Sequence, residues 1–120
     1  MELKLMRKQD QVLIVHQGTS AISYMTRLKG LMGRTEFKSG EGILFPRCNS
    51  VHMWMMKISI DVVFLSKKRD EWKIVGIYSR VKPWKLLPVT CLKANDTLEL
   101  PAGTIAKFNL KKGETLCIAS

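Results

Sequence analysis

The sequence predicts a small α+β domain, a mostly antiparallel β-barrel or strongly bent sheet of about six or seven strands with one early α-helix. Short runs rich in β-branched and aromatic residues recur along the chain, with turn residues between them. A single segment with helical periodicity lies near the N-terminus. The length of 120 residues suits one compact domain, which we take as residues 1–120.

The first predicted elements are a strand and the helix. Residues 11–16, QVLIVH, form a β-branched apolar run that is typical of a strand. A helix is predicted over residues 20–33, because Ser20 can cap it and Gly33 can end it in the left-handed conformation. Between these two residues the apolar side chains follow a period close to 3.6: Ile22, Met25, Leu28 and Met32.

From residue 41 onward the pattern is that of strands. They are predicted at GILF, VHMWMM, IDVVFL, EWKIVGIYS, TLEL and the end of LKKGETLCI. The charged connection KKRD predicts a hairpin between IDVVFL and EWKIVGIYS. Pro83 and Pro88 bracket WKLL, which predicts an edge or a connection at that point, because proline is excluded from central strands.

Charge and cysteine usage limit the environment and the partners. The chain has a net charge of +10, and residues 67–85 hold half of it, with seven basic residues against two acidic ones. Such a segment attracts polyanions. The three cysteines are widely spaced without a CxxC pair, which indicates a reducing compartment. Without a signal-like segment or a long apolar run, the sequence predicts a cytoplasmic chain that does not contact a membrane.

Five motifs, RLKGLMGR, GILF, SVHMWMMKISIDVVFL, VKPWK and LELPAG, follow one another along the chain. In this order and spacing the chain resembles the domain-of-unknown-function family 192, over residues 26–118. The resemblance implies one small β-rich domain with an early helix. It implies no activity, because none is established for that family. The likeness is densest on HMWMMKISID, so this stretch is expected to be central to the fold or to a site.

Asp61 is the first candidate site residue in that stretch. In the predicted strand it shares a face with Val63 and Leu65. A carboxylate on an apolar face needs cationic or backbone N–H partners. One interpretation is that Asp61 anchors a turn or pairs with Arg27, Arg34 or Arg47. The other is that it lines a ligand pocket.

His52 is the second candidate. It alternates with methionines and Trp54 in VHMWMM, which is typical of a central strand covered on both faces, so His52 is predicted to lie in the core. Alternatively, His52 donates or accepts a hydrogen bond in a pocket. Imidazole and thioethers can also bind a soft metal such as Cu(I), but methionine commonly fills gaps in cores, and no metal or cofactor is predicted.

The sequence offers little support for catalysis. It contains no Walker loop, GxGxxG, HExxH or GxSxG motif. Cys48 follows Arg47, but a cysteine nucleophile needs a base close in space, which the sequence does not establish. A noncatalytic protein is therefore favoured, and an enzyme of unrecognised type stays as a further alternative.

The basic segment allows two interpretations. Trp72, Tyr78 and Trp84 interleave with its cations, as stacking residues do in proteins that bind single-stranded nucleic acid. In the other interpretation, each tryptophan packs inward and the charges solvate an outer face. The cations are Lys67, Lys68, Arg69, Lys73, Arg80, Lys82 and Lys85.

The leading hypothesis is a noncatalytic ligand-binding or accessory module, a monomer with a small pocket for a small molecule or a protein partner. The pocket is expected to be lined by some of Arg27, Arg34, His52, Met56, Asp61 and Trp84. The alternative hypothesis is binding of nucleic acid or another polyanion through residues 67–85.

Overall fold

The computed structural model describes residues 3–21, 34–53, 56–85 and 87–119, and in them seven strands close into a barrel. The barrel strands are β1 (Leu3–Arg7), β2 (Leu13–Ser20), β3 (Glu41–Pro46), β5 (Ile60–Lys68), β6 (Glu71–Val81), β8 (Asp96–Pro101) and β9 (Thr115–Ile118). Around the barrel they follow the order β1-β2-β3-β8-β5-β6-β9. A separate pair joins β4 (Ser50–Val51) to β7 (Val89–Thr90), and helix α1 spans Thr104–Phe108.

The barrel is mixed, which corrects the prediction of a mostly antiparallel sheet. The correction comes from β2 and β3, which run parallel with Gln17 opposite Glu41 and Ser20 opposite Leu44. Parallel neighbours need a long crossover connection, and residues 21–40 supply it. The other pairs between neighbouring barrel strands are antiparallel. The predicted hairpin is among them, as β5 and β6.

The predicted early helix is also corrected. Ser20, its expected N-cap, is the last residue of β2, and residues 22–33 lie outside the described residues. In the part of the chain that the structure describes, the helix comes late, at Thr104–Phe108. A helix of five residues is too short to show the apolar periodicity by which a helix is recognised in a sequence, and we did not predict it.

The predicted strand VHMWMM is wrong as a strand in its described part. Only Val51 of it belongs to a strand, the two-residue β4, and His52 is exposed instead of lying in the core. Met53 is nevertheless buried. Strand β1 was missed, whereas GILF, IDVVFL, EWKIVGIYS and TLEL fall in β3, β5, β6 and β8.

Strand β5 is covered on both faces, which explains its uninterrupted apolar sequence. Val63 and Leu65 point into the barrel and pack with Leu98 and Leu100 of β8. The opposite face of β5 packs into a second apolar cluster, which we call the outer layer. It contains Ile60, Val62, Phe64, Ile43, Phe45, Val51, Met53 and Val89.

Asp61 links three parts of the chain at one end of the barrel. Its side chain is fully buried, and its Oδ1 accepts a hydrogen bond from the Arg80 backbone N at 2.8 Å. Its Oδ2 accepts bonds from the backbone N of Gly103 at 3.1 Å and of Ile105 at 2.8 Å. Gly103, the N-cap of α1, has no side chain to do this. This agrees with the interpretation that Asp61 anchors a turn, which it does through backbone N–H groups, whereas Arg27 lies outside the described residues.

Asp96 also accepts hydrogen bonds with both carboxyl oxygens, at the other end of the β5–β8 pair. Its Oδ2 accepts a hydrogen bond from Nε1 of Trp72 at 2.8 Å, and its Oδ1 accepts one from the backbone N of Arg47 at 3.1 Å. Arg47 has a positive φ of 54°, so this bond also fixes a strained turn. Two buried carboxylates therefore satisfy backbone and indole donors at the two ends of the barrel.

We expect Asp61→Ala to lower the free energy of unfolding by roughly 3–5 kcal/mol, because it leaves one buried and two partly buried N–H donors without an acceptor. Urea unfolding measures the change. Asp70→Ala is the matched control, since Asp70 is exposed in the β5–β6 turn, and it should change stability by less than about 0.5 kcal/mol. Equal effects of the two substitutions would contradict the anchoring role.

Candidate functional site

A cavity of about 400 Å³ lies at the C-terminal end of β6. Strand β6 ends at Val81, and Pro83 follows in a turn that is closed by a hydrogen bond from Lys85 N to Lys82 O at 3.2 Å. This turn stands over the end of the strand and forms one wall. The lining residues are Tyr78, Ser79, Arg80, Val81, Lys82, Trp84, Lys85 and Val89. We call this the β6-end cavity.

Two exposed aromatic rings belong to the β6-end cavity. Trp84 is 71% exposed and Tyr78 is 43% exposed. Tyr78 meets Phe64 of the outer layer edge to face, with ring centroids 5.8 Å apart. Nζ of Lys82 lies 5.4 Å from the centroid of the Trp84 ring. Large aromatic side chains are usually buried, so two accessible ones in a concavity make this surface a candidate binding site.

Three cations line the same cavity, and none of the lining residues that the structure describes is acidic. They are Arg80, Lys82 and Lys85, and none of them forms a salt bridge with a described residue. Arg80 has a φ of +52° at a bulge of β6 opposite Asp61. Its guanidinium lies over Gly103, where an added Cβ would come within 3.3 Å of it. The cavity is therefore positively charged.

A second cavity, of about 640 Å³, lies at the other end of β6, next to the β5–β6 turn. It is more polar and mixes both signs of charge. Nζ of Lys8 pairs with Oε2 of Glu71 at 2.8 Å. Its lining is Lys8, Ser66, Lys68, Arg69, Asp70, Glu71, Lys73 and Thr115. We call this the β6-start cavity.

The predicted ligand-binding residues are spread over the molecule. Trp84 lines the β6-end cavity, whereas Asp61 faces the barrel interior. Met56 is half-buried against the outer layer, and His52 is exposed and has an interaction of its own. Arg27 lies outside the described residues. Ligand binding by His52, Met56 and Asp61 stays a prediction.

Arg34 already has two partners of its own. Its Nη2 bonds Oε1 of Glu41 at 3.0 Å, and its guanidinium lies 5.5 Å from the centroid of the Phe37 ring. Burial raises the pKa of Glu41, but the Lys38 backbone N–H and Arg34 outweigh it and lower that pKa overall. Arg34 is thus held by its own neighbours, and its role in ligand binding stays a prediction.

The structure divides the basic segment into two groups. Lys68, Arg69 and Lys73 line the β6-start cavity, and Arg80, Lys82 and Lys85 line the β6-end cavity. Trp72 is buried, and Nζ of Lys67 lies 5.3 Å from the centroid of its ring. Of the three aromatic residues in the segment, Trp72 thus packs inward, whereas Tyr78 and Trp84 are exposed.

Glu99 is a residue whose importance we did not predict. Alternation along β8 places it on the face opposite Leu98 and Leu100, between Ile43 of β3 and Val62 of β5. It is only 8% exposed, and no described residue bonds or pairs with its carboxyl group. Burial raises the pKa of this carboxyl group to about 7. In the sequence, only its place in the motif LELPAG pointed to Glu99.

A cluster of metal ligands and a membrane-spanning helix are two further features to consider in the described residues. Among them, no three His, Cys, Asp or Glu side chains come together as a metal site would require. None of their helices is long and apolar enough to cross a membrane.

Comparisons with known proteins agree with the fold. The model of the domain-of-unknown-function family 192, described as Uncharacterized ACR, matches residues 6–118. No curated protein matches the chain. A solved protein of unknown function from Novosphingobium aromaticivorans is 21% identical, with a TM-score of 0.79 over 97% of this chain and 83% of that one. A Sinorhizobium meliloti protein, provisionally named a transcription regulator, is 21% identical, with a TM-score of 0.82 over 98% and 92%.

We expect Glu99→Gln to remove a pH dependence of stability. The unperturbed pKa of the group is 4.5, and in the folded state it is about 7. Between these values the folded state keeps a proton that the unfolded chain releases, so stability is lost as the pH rises through this window, by about 3 kcal/mol in total. The glutamine variant should therefore be more stable than the natural chain at about pH 8 and differ little at about pH 5.

Urea unfolding at several pH values measures this difference. Glu36→Gln is the matched control, because Glu36 is exposed and the substitution is chemically the same. The control should follow the natural chain at every pH. If Glu99→Gln and the natural chain keep a constant difference from about pH 5 to pH 8, the carboxyl group is not kept protonated by burial.

Proposed function

We propose a function from the geometry of the chain itself. The chain belongs to the domain-of-unknown-function family 192, as its five motifs predicted. Because no activity is established for that family, membership does not supply a function. The chain is a noncatalytic binding module, and its β6-end cavity takes a small anion that carries a flat ring. The observation that supports this is the meeting of three cations and two exposed aromatic rings in one cavity.

The size and chemistry of the cavity fit such a ligand. Ligand sites usually enclose about 300–1,000 Å³, and about 400 Å³ accommodates a ligand of the size of one nucleotide. Arg80, Lys82 and Lys85 can neutralise a phosphate or carboxylate group without first breaking a described salt bridge. A ring stacked on Trp84 or Tyr78 gains about 1–3 kcal/mol.

The lining favours binding over catalysis. Among the described lining residues, Tyr78 and Ser79 carry the hydroxyl groups, and a serine nucleophile needs an adjacent base. None of the lining residues that the structure describes is a histidine, aspartate or glutamate that could serve as this base. A binding module needs none of these groups.

A second candidate function is binding of nucleic acid or another polyanion through the basic segment. The β6-start cavity supports it, since it adds Lys68, Arg69 and Lys73 to the cations of the β6-end cavity. The provisional name of the Sinorhizobium meliloti protein would suit such a role in that protein, but 21% identity carries only the fold to this chain.

A cytoplasmic location stays part of the proposal. Cys48, Cys91 and Cys117 are free thiols in the structure, which suits a reducing compartment. A small-molecule or protein partner and a monomeric state likewise remain predictions.

Thymidine 5′-monophosphate is a suitable first probe, because it joins a flat ring to an anion. At about 100 times its dissociation constant it should stabilise the chain by about 2.7 kcal/mol, which raises the melting temperature by on the order of 10 °C. Ribose 5-phosphate lacks the ring and should bind more weakly. Thermal melting with calorimetric titration measures both.

Trp84→Ala should weaken binding of thymidine monophosphate about tenfold or more, since a stacked ring is worth about 1–3 kcal/mol. The double substitution Lys82→Gln and Lys85→Gln should weaken it further. Leu92→Ala is the matched control, because Leu92 is an exposed apolar side chain of the same connection that does not line the cavity. If all variants bind equally well, the β6-end cavity is not the site.

A further inference from the structure

The two cavities lie too far apart for one small ligand. Lys73 lines the β6-start cavity and Arg80 lines the β6-end cavity, and both belong to β6. A strand advances about 3.3 Å per residue, so these two residues are separated by roughly 20 Å. A molecule that fills one cavity therefore leaves the cations of the other without a ligand.

A turn of the chain places a further cation between the two cavities. Residues 91–94 form a turn that is closed by a hydrogen bond from Ala94 N to Cys91 O at 3.1 Å. Cys91 fixes this turn over the middle of β6, where a Cβ added to Gly76 would come within 3.2 Å of its Sγ atom. Lys93 is exposed at the tip of the turn. It lies outside the basic segment, residues 67–85.

The charge along this side of β6 has one sign. Residues 72–95 contain five basic residues and no acidic one. Acidic residues border this stretch at both ends. Asp70 and Glu71 line the β6-start cavity, where Glu71 is already paired with Lys8, and Asp96 is buried and bonded to Nε1 of Trp72. Between the two cavities, this stretch of chain therefore offers a polyanion no acidic side chain to repel it.

We infer that a single strand of nucleic acid binds along the outer side of β6, from the β6-start cavity across Lys93 to the β6-end cavity. This inference rests on the proposed function of the β6-end cavity and extends it to a polymeric ligand. The accessible rings of Tyr78 and Trp84 select a single strand, because unpaired bases expose the faces that stack. In a duplex those faces are covered by neighbouring base pairs.

The distance sets the length of the ligand. Stacked nucleotides advance about 3.4 Å per nucleotide along one strand, so roughly 20 Å corresponds to about six nucleotides. Each phosphate neutralised on a single strand contributes about −0.7 to the slope of log K against log salt concentration. A strand that reaches both cavities should thus show a slope near −4, and a dinucleotide a much shallower one.

The test is titration of the full chain with oligothymidylates of two to about fifteen nucleotides, at several salt concentrations. The affinity should increase with length up to about six nucleotides. Beyond that length it should rise only because a longer strand offers more equivalent positions at which the protein can bind. Thymidine monophosphate, measured in parallel, reports on the β6-end cavity alone. If it binds while longer strands gain neither affinity nor salt slope, the inference fails and the cavity proposal stands. If neither binds, both fail.

Substitutions at the far end separate the track from the cavity. The double substitution Lys68→Gln and Lys73→Gln should weaken binding of the fifteen-nucleotide strand about tenfold or more. Lys93→Gln should weaken it less. Neither variant should change the affinity for thymidine monophosphate. The charge-matched control is Lys4→Gln with Lys38→Gln, on β1 and before β3. Equal weakening by the control and the far-end variant would overturn the track, because it would show attraction to net charge alone.

Polyphosphate distinguishes a nucleic acid from any polyanion. Trp84→Ala should weaken binding of the oligothymidylate about tenfold and leave polyphosphate binding unchanged, because only the nucleic acid has bases to stack. If both polymers lose the same affinity, or neither does, the inference of a nucleic acid is wrong.

Discussion

The buried carboxylate of Asp61 is the interaction on which the rest of the structure depends. It joins three parts of the chain that are distant in sequence, because it lies on β5 and accepts hydrogen bonds from β6 and from the first turn of α1. The bond to Arg80 N holds the bulge of β6, where Arg80 has a positive φ. That bulge directs the Arg80 guanidinium over Gly103, at the wall of the β6-end cavity. One carboxylate thus anchors α1 at one end of the barrel and positions a cation of the candidate site.

The three buried carboxyl groups of the barrel wall differ in how they are satisfied. Asp61 and Asp96 accept hydrogen bonds from backbone or indole donors, which satisfy their buried oxygen atoms. Glu99 has no such donor among the described residues, and burial raises its pKa to about 7. An unsatisfied buried carboxyl group costs free energy that an apolar residue would not. Its position between Ile43 and Val62 is therefore not explained by the packing of the outer layer.

The sequence predicts the strands that obey simple alternation and misses what depends on long-range contacts. IDVVFL and EWKIVGIYS form the predicted hairpin, because a charged turn separates two clear β patterns. His52 was assigned to the core from apolar neighbours, but the chain leaves its strand after Val51 and exposes the imidazole. Glu99 alternates with buried leucines, which would place it in water, and only the cover of the outer layer reverses this. The division of the basic segment between two cavities likewise follows from the length of β6, which no local pattern reports.

The connection between β6 and β8 explains how exposed binding groups are held in place. Val89 and Ala94 of this connection are buried in the outer layer, and Cys91 packs over Gly76. Together with the buried Val81 at the end of β6, these contacts hold the described backbone on both sides of the exposed Trp84 and Lys93. Binding to ordered groups loses less conformational entropy than binding to a free loop. The apolar residues of the connection therefore serve the outer layer and, through the same contacts, preorganise the cationic and aromatic surface that faces the ligand.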